Sequence, residues 1–336
     1  MNKTKLIKFK SYLTYSKKFL TYYHIKFFLS SIRAFVINSI HLDNPFRLLK
    51  KRKNGISVLL PTQNEELIVK ISILSFLDFA DEIIVVDNGS VDNTKEIIRD
   101  LAEKYPKIKF FDKPELPDLN HNRQFALKQS QYRWICRFDS DFVAYTNGKN
   151  NILKLRKKLL NMPRSIIPKV IGLNYVNIGG DFWHTQVRYF NTKINVIEGP
   201  RLSIYEYFPL FTFFRFGRRE YGSFQFFMNN IIVKPIFFMH CMIKSKVNLF
   251  LRSERTNWRE FGKFRKYPTL FSYIKNRMEE KYHTTNIKNA IEIFLKEEIY
   301  KREYYIEYDP KKYLPYPSLI AKEMEKENVF RISKFF

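Results

Sequence analysis

Trp134-Ile135-Cys136-Arg137-Phe138-Asp139-Ser140-Asp141 is the stretch on which the reading of this chain turns. An apolar run of strand length ends in three polar residues, and in extended backbone residues i and i+2 point the same way. Asp139 and Asp141 therefore present two carboxylates to one point, where a strand opens into a loop. Like charges that close repel unless they share a proton or a cation. A hard divalent ion, Mg²⁺ or Mn²⁺, held by carboxylates and by substrate phosphates, resolves that repulsion. Asp-Ser-Asp is also ordinary turn chemistry, so the triplet needs its surroundings to decide its meaning.

Upstream, the pattern alternates between strand and helix. Residues 50–55 read as a linker, 56–60 as a strand ended by Pro61, and 65–80 as a helix with Leu67, Ile68, Ile71, Leu74 and Leu77 inward. A second strand is expected over 82–86. A helix follows, capped by Asn93 with Glu96 completing a capping box. Residues 108–111 give a third strand, 120–129 a helix and 133–138 the fourth strand. Such alternation implies an α/β fold with a parallel, doubly wound sheet, helices on both faces. Ligands of these sheets bind outside the carboxyl ends of the strands. Three polar clusters fall there: Pro61-Thr62-Gln63-Asn64-Glu65, Asp87-Asn88-Gly89-Ser90 and the Asp139 triplet. Beyond residue 145 a helix is expected over 152–160 and strands over 170–178 and 184–190. From Glu206 onward the chain is aromatic, basic and read as mainly helical.

The net charge of +26 is unevenly spread. Residues 1–53 hold 13 Lys and Arg against one acid, Asp43, whereas 54–150 hold 12 against 15 acids. Basic flanks suit anionic lipid, phosphorylated substrates or nucleic acid. Nucleic acid is disfavoured, since no zinc, helix-turn-helix or RNP-type signature accompanies the charge. With only Cys136 and Cys241, a disulfide scaffold is excluded and a reducing cytoplasm is the expected compartment. No apolar run reaches membrane-spanning length. Ile25, Phe28, Leu29, Ile32, Val36 and Ile40 recur at helical spacing, with lysines outside the stripe. That helix is expected either to lie on the inner face of a membrane or to pack on the protein's own body.

Gly55 to Glu66 (GISVLLPTQNEE), Ile84 to Thr94 (IVVDNGSVDNT) and the Asp-Ser-Asp triplet together closely resemble family 2 glycosyltransferases. The resemblance covers roughly residues 54–145. It implies the GT-A fold and transfer of a sugar, with inversion, from a nucleotide diphosphate donor to a glycan or glycolipid acceptor. The implied organisation is a basic extension over 1–53, a GT-A domain over 54–250 (nucleotide-binding half 54–145, acceptor half 146–250) and a helical region over 251–336. Pro61, Thr62, Gln63, Glu65, Asp87, Asn88, Arg123 and Asp139 would receive the nucleotide. Asp139 and Asp141 would hold Mn²⁺ or Mg²⁺, with His240 as a further ligand or else a satisfied core histidine. Many relatives carry an aromatic where Gln63 stands, so a polar contact replaces stacking on the base. For Glu65 a capping box with Thr62 is the alternative, and for Arg123 a solvated helix face.

An inverting transfer needs a carboxylate that deprotonates the acceptor hydroxyl. Asp181, Glu198 and Glu206 fall between the triplet and the tail, and Glu206 is favoured, ahead of Asp181. Trp183 and His184 are candidates for contact with sugar. The aromatic and basic segments 205–216 and 258–273 either shape the acceptor site or pack the core. Two other readings stay open: transfer to a polyprenyl phosphate, and a catalytically retired binding module docked to membrane or nucleic acid.

Overall fold

Ser57 to Thr62 of strand β1 (Lys53–Thr62) pair in parallel with Glu82 to Asp87 of β2 (Glu82–Asp87), which sets two carboxyl-end loops side by side. The computed structural model describes residues 22, 24–36, 52–186, 202–209, 211–216, 219–260, 262–299 and 305–326. Helix α1 covers 24–36. After β1 come α2 (Val69–Phe76), β2, α3 (Thr94–Lys104), β3 (Ile108–Asp112), α4 (Leu119–Gln129), β4 (Tyr132–Arg137), β5 (Phe142–Ala144) and α5 (Leu153–Asn161). The second half holds β6 (Lys169–Leu173), β7 (Val176–Gly179), β8 (His184–Gln186), β9 (Leu202–Glu206), β10 (Phe213–Phe216), β11 (Arg219–Gly222), β12 (Asn229–Val233) and β13 (Phe238–Met242). Helices α6 (Lys246–Glu260), α7 (Leu270–Glu280) and α8 (Ile287–Phe294), strand β14 (Tyr305–Glu307) and helix α9 (Ser318–Met324) close the described chain.

Among the described residues the main sheet has seven strands in the order β12-β6-β9-β4-β1-β2-β3. Strands β3, β2, β1 and β4 are mutually parallel, while β9 runs antiparallel to both β4 and β6. Because both faces are covered, the central strands must be apolar on each face, which is why they read as continuous runs. Val58 and Leu60 join the larger core with Ile73, Phe76, Leu155 and Phe238. Leu59, between them, points to the opposite core with Ala126, Leu127, Tyr205 and Phe213. A second sheet, β5-β13-β7, lies beside the first and carries its own apolar cluster with Ile320 of α9. Helices α6, α7 and α8 share a fourth cluster around Phe250, Ile274 and Phe294.

The α/β sheet flanked by helices is the expected class; several local expectations are corrected. The linker over 50–55 gives way to strand at Lys53, and a Cβ on Gly55 would lie 2.3 Å from the Tyr132 ring. The helix expected from residue 65 starts at Val69, because residues 63–68 form a turn in which Asn64 has φ of 56°. Glu65 has no capping box with Thr62; its N–H donates to Thr94 Oγ1 at 2.8 Å. Asn93 sits at the start of α3 but its amide donates to Glu66, so Asp92 accepts from Thr94 instead. Residues 170–178 form two strands in different sheets, separated by Asn174 and Tyr175. After Glu206 the described residues form four more strands before α6, since their aromatic side chains enter the core: Phe211, Phe213 and Phe214 are buried. Core packing thus accounts for Tyr205, Phe211, Phe213 and Phe214 of the 205–216 segment. The boundary expected between 250 and 251 falls inside α6.

Candidate functional site

The carboxyl ends of β1, β2 and β4 open into a cavity of about 770 Å³. Pro61, Thr62, Gln63 and Glu65 line it from the loop after β1, Asn88 from the loop after β2, and Asp139, Ser140 and Asp141 from the loop after β4. His240 and Lys244 enter from β13 and the loop behind it. Helix α6 closes the opposite side with Asn248, Arg252, Arg255 and Trp258, which recur at helical spacing and so share one face.

The loops brace one another. Gln63 Nε2 donates to the Asn88 carbonyl at 2.6 Å, and its Oε1 accepts from Arg255 at 2.7 Å. The Asn88 side chain faces away, donating to the carbonyls of Lys113 and Leu116 and so holding the loop that carries Pro114 to Asp118 along the cavity. Ser140 Oγ donates to the Pro61 carbonyl at 3.2 Å, which ties the first loop to the third.

Asp141 is the electrostatic centre. Its Oδ1 lies 3.2 Å from His240 Nε2 and its Oδ2 lies 3.4 Å from Lys244 Nζ. Lys244 also pairs with Glu65. Burial alone would raise the Asp141 pKa, but the charges of His240, Lys244 and Arg252 outweigh it and hold the carboxyl well below the usual range. Glu65 goes the other way: burial, reinforced by the charge of Asp141, pushes it up to about 8 against the pull of Lys244. Two buried oxygens, Asp141 Oδ1 and Glu65 Oε2, have no hydrogen-bond partner. His240 Nδ1 donates to Asn177 Oδ1 at 2.8 Å, and its ring stacks on Phe142 with centroids 4.3 Å apart. This fixes Nε2 toward Asp141. His240 Nε2 and Asp141 Oδ1 thus face one point. Among the described residues no three His, Cys, Asp or Glu side chains form a complete metal cluster.

Some expected residues stand elsewhere. Asp87 is fully buried and its carboxylate accepts from the backbone and hydroxyl of Ser90, with burial raising its pKa. It shapes the second loop from behind the cavity wall. Arg123 is buried, not solvated, and pairs with Asp139 and Glu220; it reaches the cavity only through Asp139. Glu206 requires correction. It lies opposite Trp134, at the start of β4, so it sits at the amino edge of the sheet. There its carboxylate is buried against Arg133, at 2.8 Å from Nε, and the Lys169 backbone at 3.1 Å. Sealed at the far edge, it has no route to a substrate at Asp139. Asp181 is also fully buried, accepting from Trp183 N at 2.9 Å and His184 Nδ1 at 2.7 Å, so none of these four lines the cavity. Glu198 lies outside the described residues.

Sequence reasoning missed Lys244 and the α6 face. The signal was present in the spacing Asn248, Leu251, Arg252, Arg255, Trp258, but reading the region as a tail gave no reason to aim it at the Asp141 loop.

Residues 57–221 match the family model described as Glycosyl transferase family 2. A curated relative, an uncharacterized glycosyltransferase of Haemophilus influenzae, is 33% identical over 93 residues, which is 26% of this chain and 37% of the relative. Among solved structures, S. aureus TarS gives a TM-score of 0.37 at 18% identity, covering 60% of this chain and 38% of that one. The mannosyltransferase PcManGT from Pyrobaculum calidifontis, in complex with GDP-Man and Mn²⁺, gives 0.38 at 15% identity, covering 93% and 89%. The chain therefore spans little more than a third of the first two proteins it matches.

Proposed function

The chain belongs to glycosyl transferase family 2, and on that premise we propose that it moves a sugar, with inversion, from a nucleotide diphosphate donor to a hydroxyl of a glycan or glycolipid. The observation that carries this reading is the convergence of the three carboxyl-edge loops on one cavity whose far wall is cationic. The loop segments Pro61 to Gln63 and Asn88 supply the wall against which the nucleoside would lie. Lys244, Arg252 and Arg255 supply charge for a diphosphate, which accepts charge-assisted hydrogen bonds from such groups. Asp139, held by Arg123, stands where ribose and phosphate would meet.

The residues fit a divalent ion. Asp141 Oδ1 is buried without a hydrogen-bond partner beside His240 Nε2, and both are hard or borderline donors. With diphosphate oxygens completing the shell, Asp141 and His240, with Asp139 nearby, would hold Mn²⁺ or Mg²⁺. Bound there, the ion would neutralise charge developing on the leaving diphosphate. Asn177 acts at one remove, fixing the imidazole so that Nε2 faces the carboxylate. Neither Glu206 nor Asp181 is retained as the base.

A panel of nucleotide sugars tests this reading by thermal shift and by hydrolysis, with and without Mn²⁺. One donor should raise the melting temperature in a Mn²⁺-dependent, EDTA-reversible way. If no nucleotide sugar and no nucleoside diphosphate stabilises the chain, the reading fails.

A further inference from the structure

Helix α1 uses one face to hold the body and leaves the opposite face partly exposed among the described residues. Inward, Phe27 is fully buried against Phe214, Tyr221 and Phe226, and Ser31 Oγ accepts from Phe224 N at 3.2 Å. Outward, Ile25, Phe28, Leu29, Ile32 and Val36 are each 40–59% exposed. At ~100° per residue these five share one stripe, about half a turn away from Phe27. A second element extends it: Phe227, 53% exposed, packs edge-on to Phe28 with centroids 5.7 Å apart. Two separate segments thus build one exposed apolar ridge, larger than scattered surface residues explain.

Charge identifies the occupant. Lys26 and Arg33 are exposed along one edge of the stripe, and the helix lies in the segment with 13 basic residues against one acid. A second copy laid on this ridge would bring two such segments together. An anionic surface would instead be drawn to them. We propose that the α1 ridge, with Phe227, docks the protein on an anionic lipid bilayer, the helix lying in the interface plane. This goes beyond the transferase reading and does not depend on it. The opposite, inward face of α1 packs through Phe27 on the β10–β11 hairpin, whose Glu220 pairs with Arg123, the residue holding Asp139. The bilayer would therefore lie on the flank of the fold that leads to Asp139.

The test is flotation of the full chain with phosphatidylcholine vesicles, with and without phosphatidylglycerol, in the absence of nucleotide. The expected result is flotation with the anionic vesicles that is at least tenfold weaker without phosphatidylglycerol and falls as salt rises. The pair L29E and I32E should cut it at least tenfold with an unchanged melting temperature, because both side chains face solvent. F227E, on a different element, should weaken it independently of any effect on α1. K26E with R33E should remove much of the preference for anionic lipid. The proposal is overturned if the native chain does not float, or if L29E with I32E and F227E both float like it. A dimer seen by light scattering that L29E with I32E dissolves would overturn it too, assigning the ridge to a second copy.

Discussion

Two buried clusters of acid and base stand at opposite edges of the same sheet. At the amino edge, Glu206 is enclosed by Arg133 and Lys169, its oxygens taken up by guanidinium and backbone donors. At the carboxyl edge, Asp141 and Glu65 share Lys244 beside His240, yet one oxygen of each has no hydrogen-bond partner. Both clusters bury carboxylates against cations. The first is satisfied and closed, whereas the second is incomplete and opens into a cavity. Burial and charge alone therefore do not mark a binding site. Unmet bonding capacity at an accessible wall does.

The sharpest way to break this contrast is at its centre. Asp141→Asn should lower sugar transfer per folded molecule by about a thousandfold or more, since it removes a carboxylate from the proposed cation and diphosphate site; because Asp141 is itself buried and ion-paired, some loss of stability accompanies it. Transfer within tenfold of native would erase the distinction. Glu206→Gln should do the reverse. Breaking a buried ion pair from one side costs about 3–5 kcal/mol, so denaturant unfolding should show that loss while turnover per folded molecule stays near native. A stable, inactive Glu206→Gln variant would restore it as a catalytic candidate. Next in size, Lys244→Met should weaken nucleoside diphosphate binding roughly tenfold to a hundredfold, the scale of one charged hydrogen bond. It should also tighten Mn²⁺ binding by removing a competing cation. Calorimetric titration of each separates the two effects, and weaker binding of both would count against a shared site.

The smallest effect is a pH dependence. With its pKa raised from 4.5 to about 8, folded Glu65 keeps a proton that the unfolded chain has released between those values. Its contribution to stability is thus complete below pH 4.5 and is lost as pH rises through 8. Glu65→Gln should flatten that part of the melting-temperature profile, measured across this range; a profile parallel to the native one would place the proton elsewhere.

The amino-acid pattern revealed the carboxyl-edge loops because each follows a strand and its position depends only on local alternation. Pro61, Asn88 and Asp141 reach the cavity as their places in the sequence imply. Glu206 was misread because a separation in sequence carries no direction. β9 runs against β4, so the last residue of β9 arrives where β4 begins. Asp87 and Arg123 were placed in the right neighbourhood, but side-chain direction is set by Ser90, Asp139 and Glu220, which no periodicity encodes. Lys244 and α6 come from a region whose strands were hidden by dense aromatic composition. Their contact with Asp141 is a product of tertiary packing alone.

The backbone N–H of Cys241 donates to the carbonyl of Asp141 at 2.7 Å, tying β13 to the loop that follows β4. That single bond has a consequence for the order of events during folding. The acidic loop and the histidine and lysine that complete it are about a hundred residues apart, so the early sheet can form while the site is still half built. Closing so long a loop is among the slow steps of a folding reaction. On a ribosome, a nascent chain that has emerged only as far as β12 would carry every recognisable motif and no working pocket. Competence would arrive late, in one step, when β13 slots between β5 and β7.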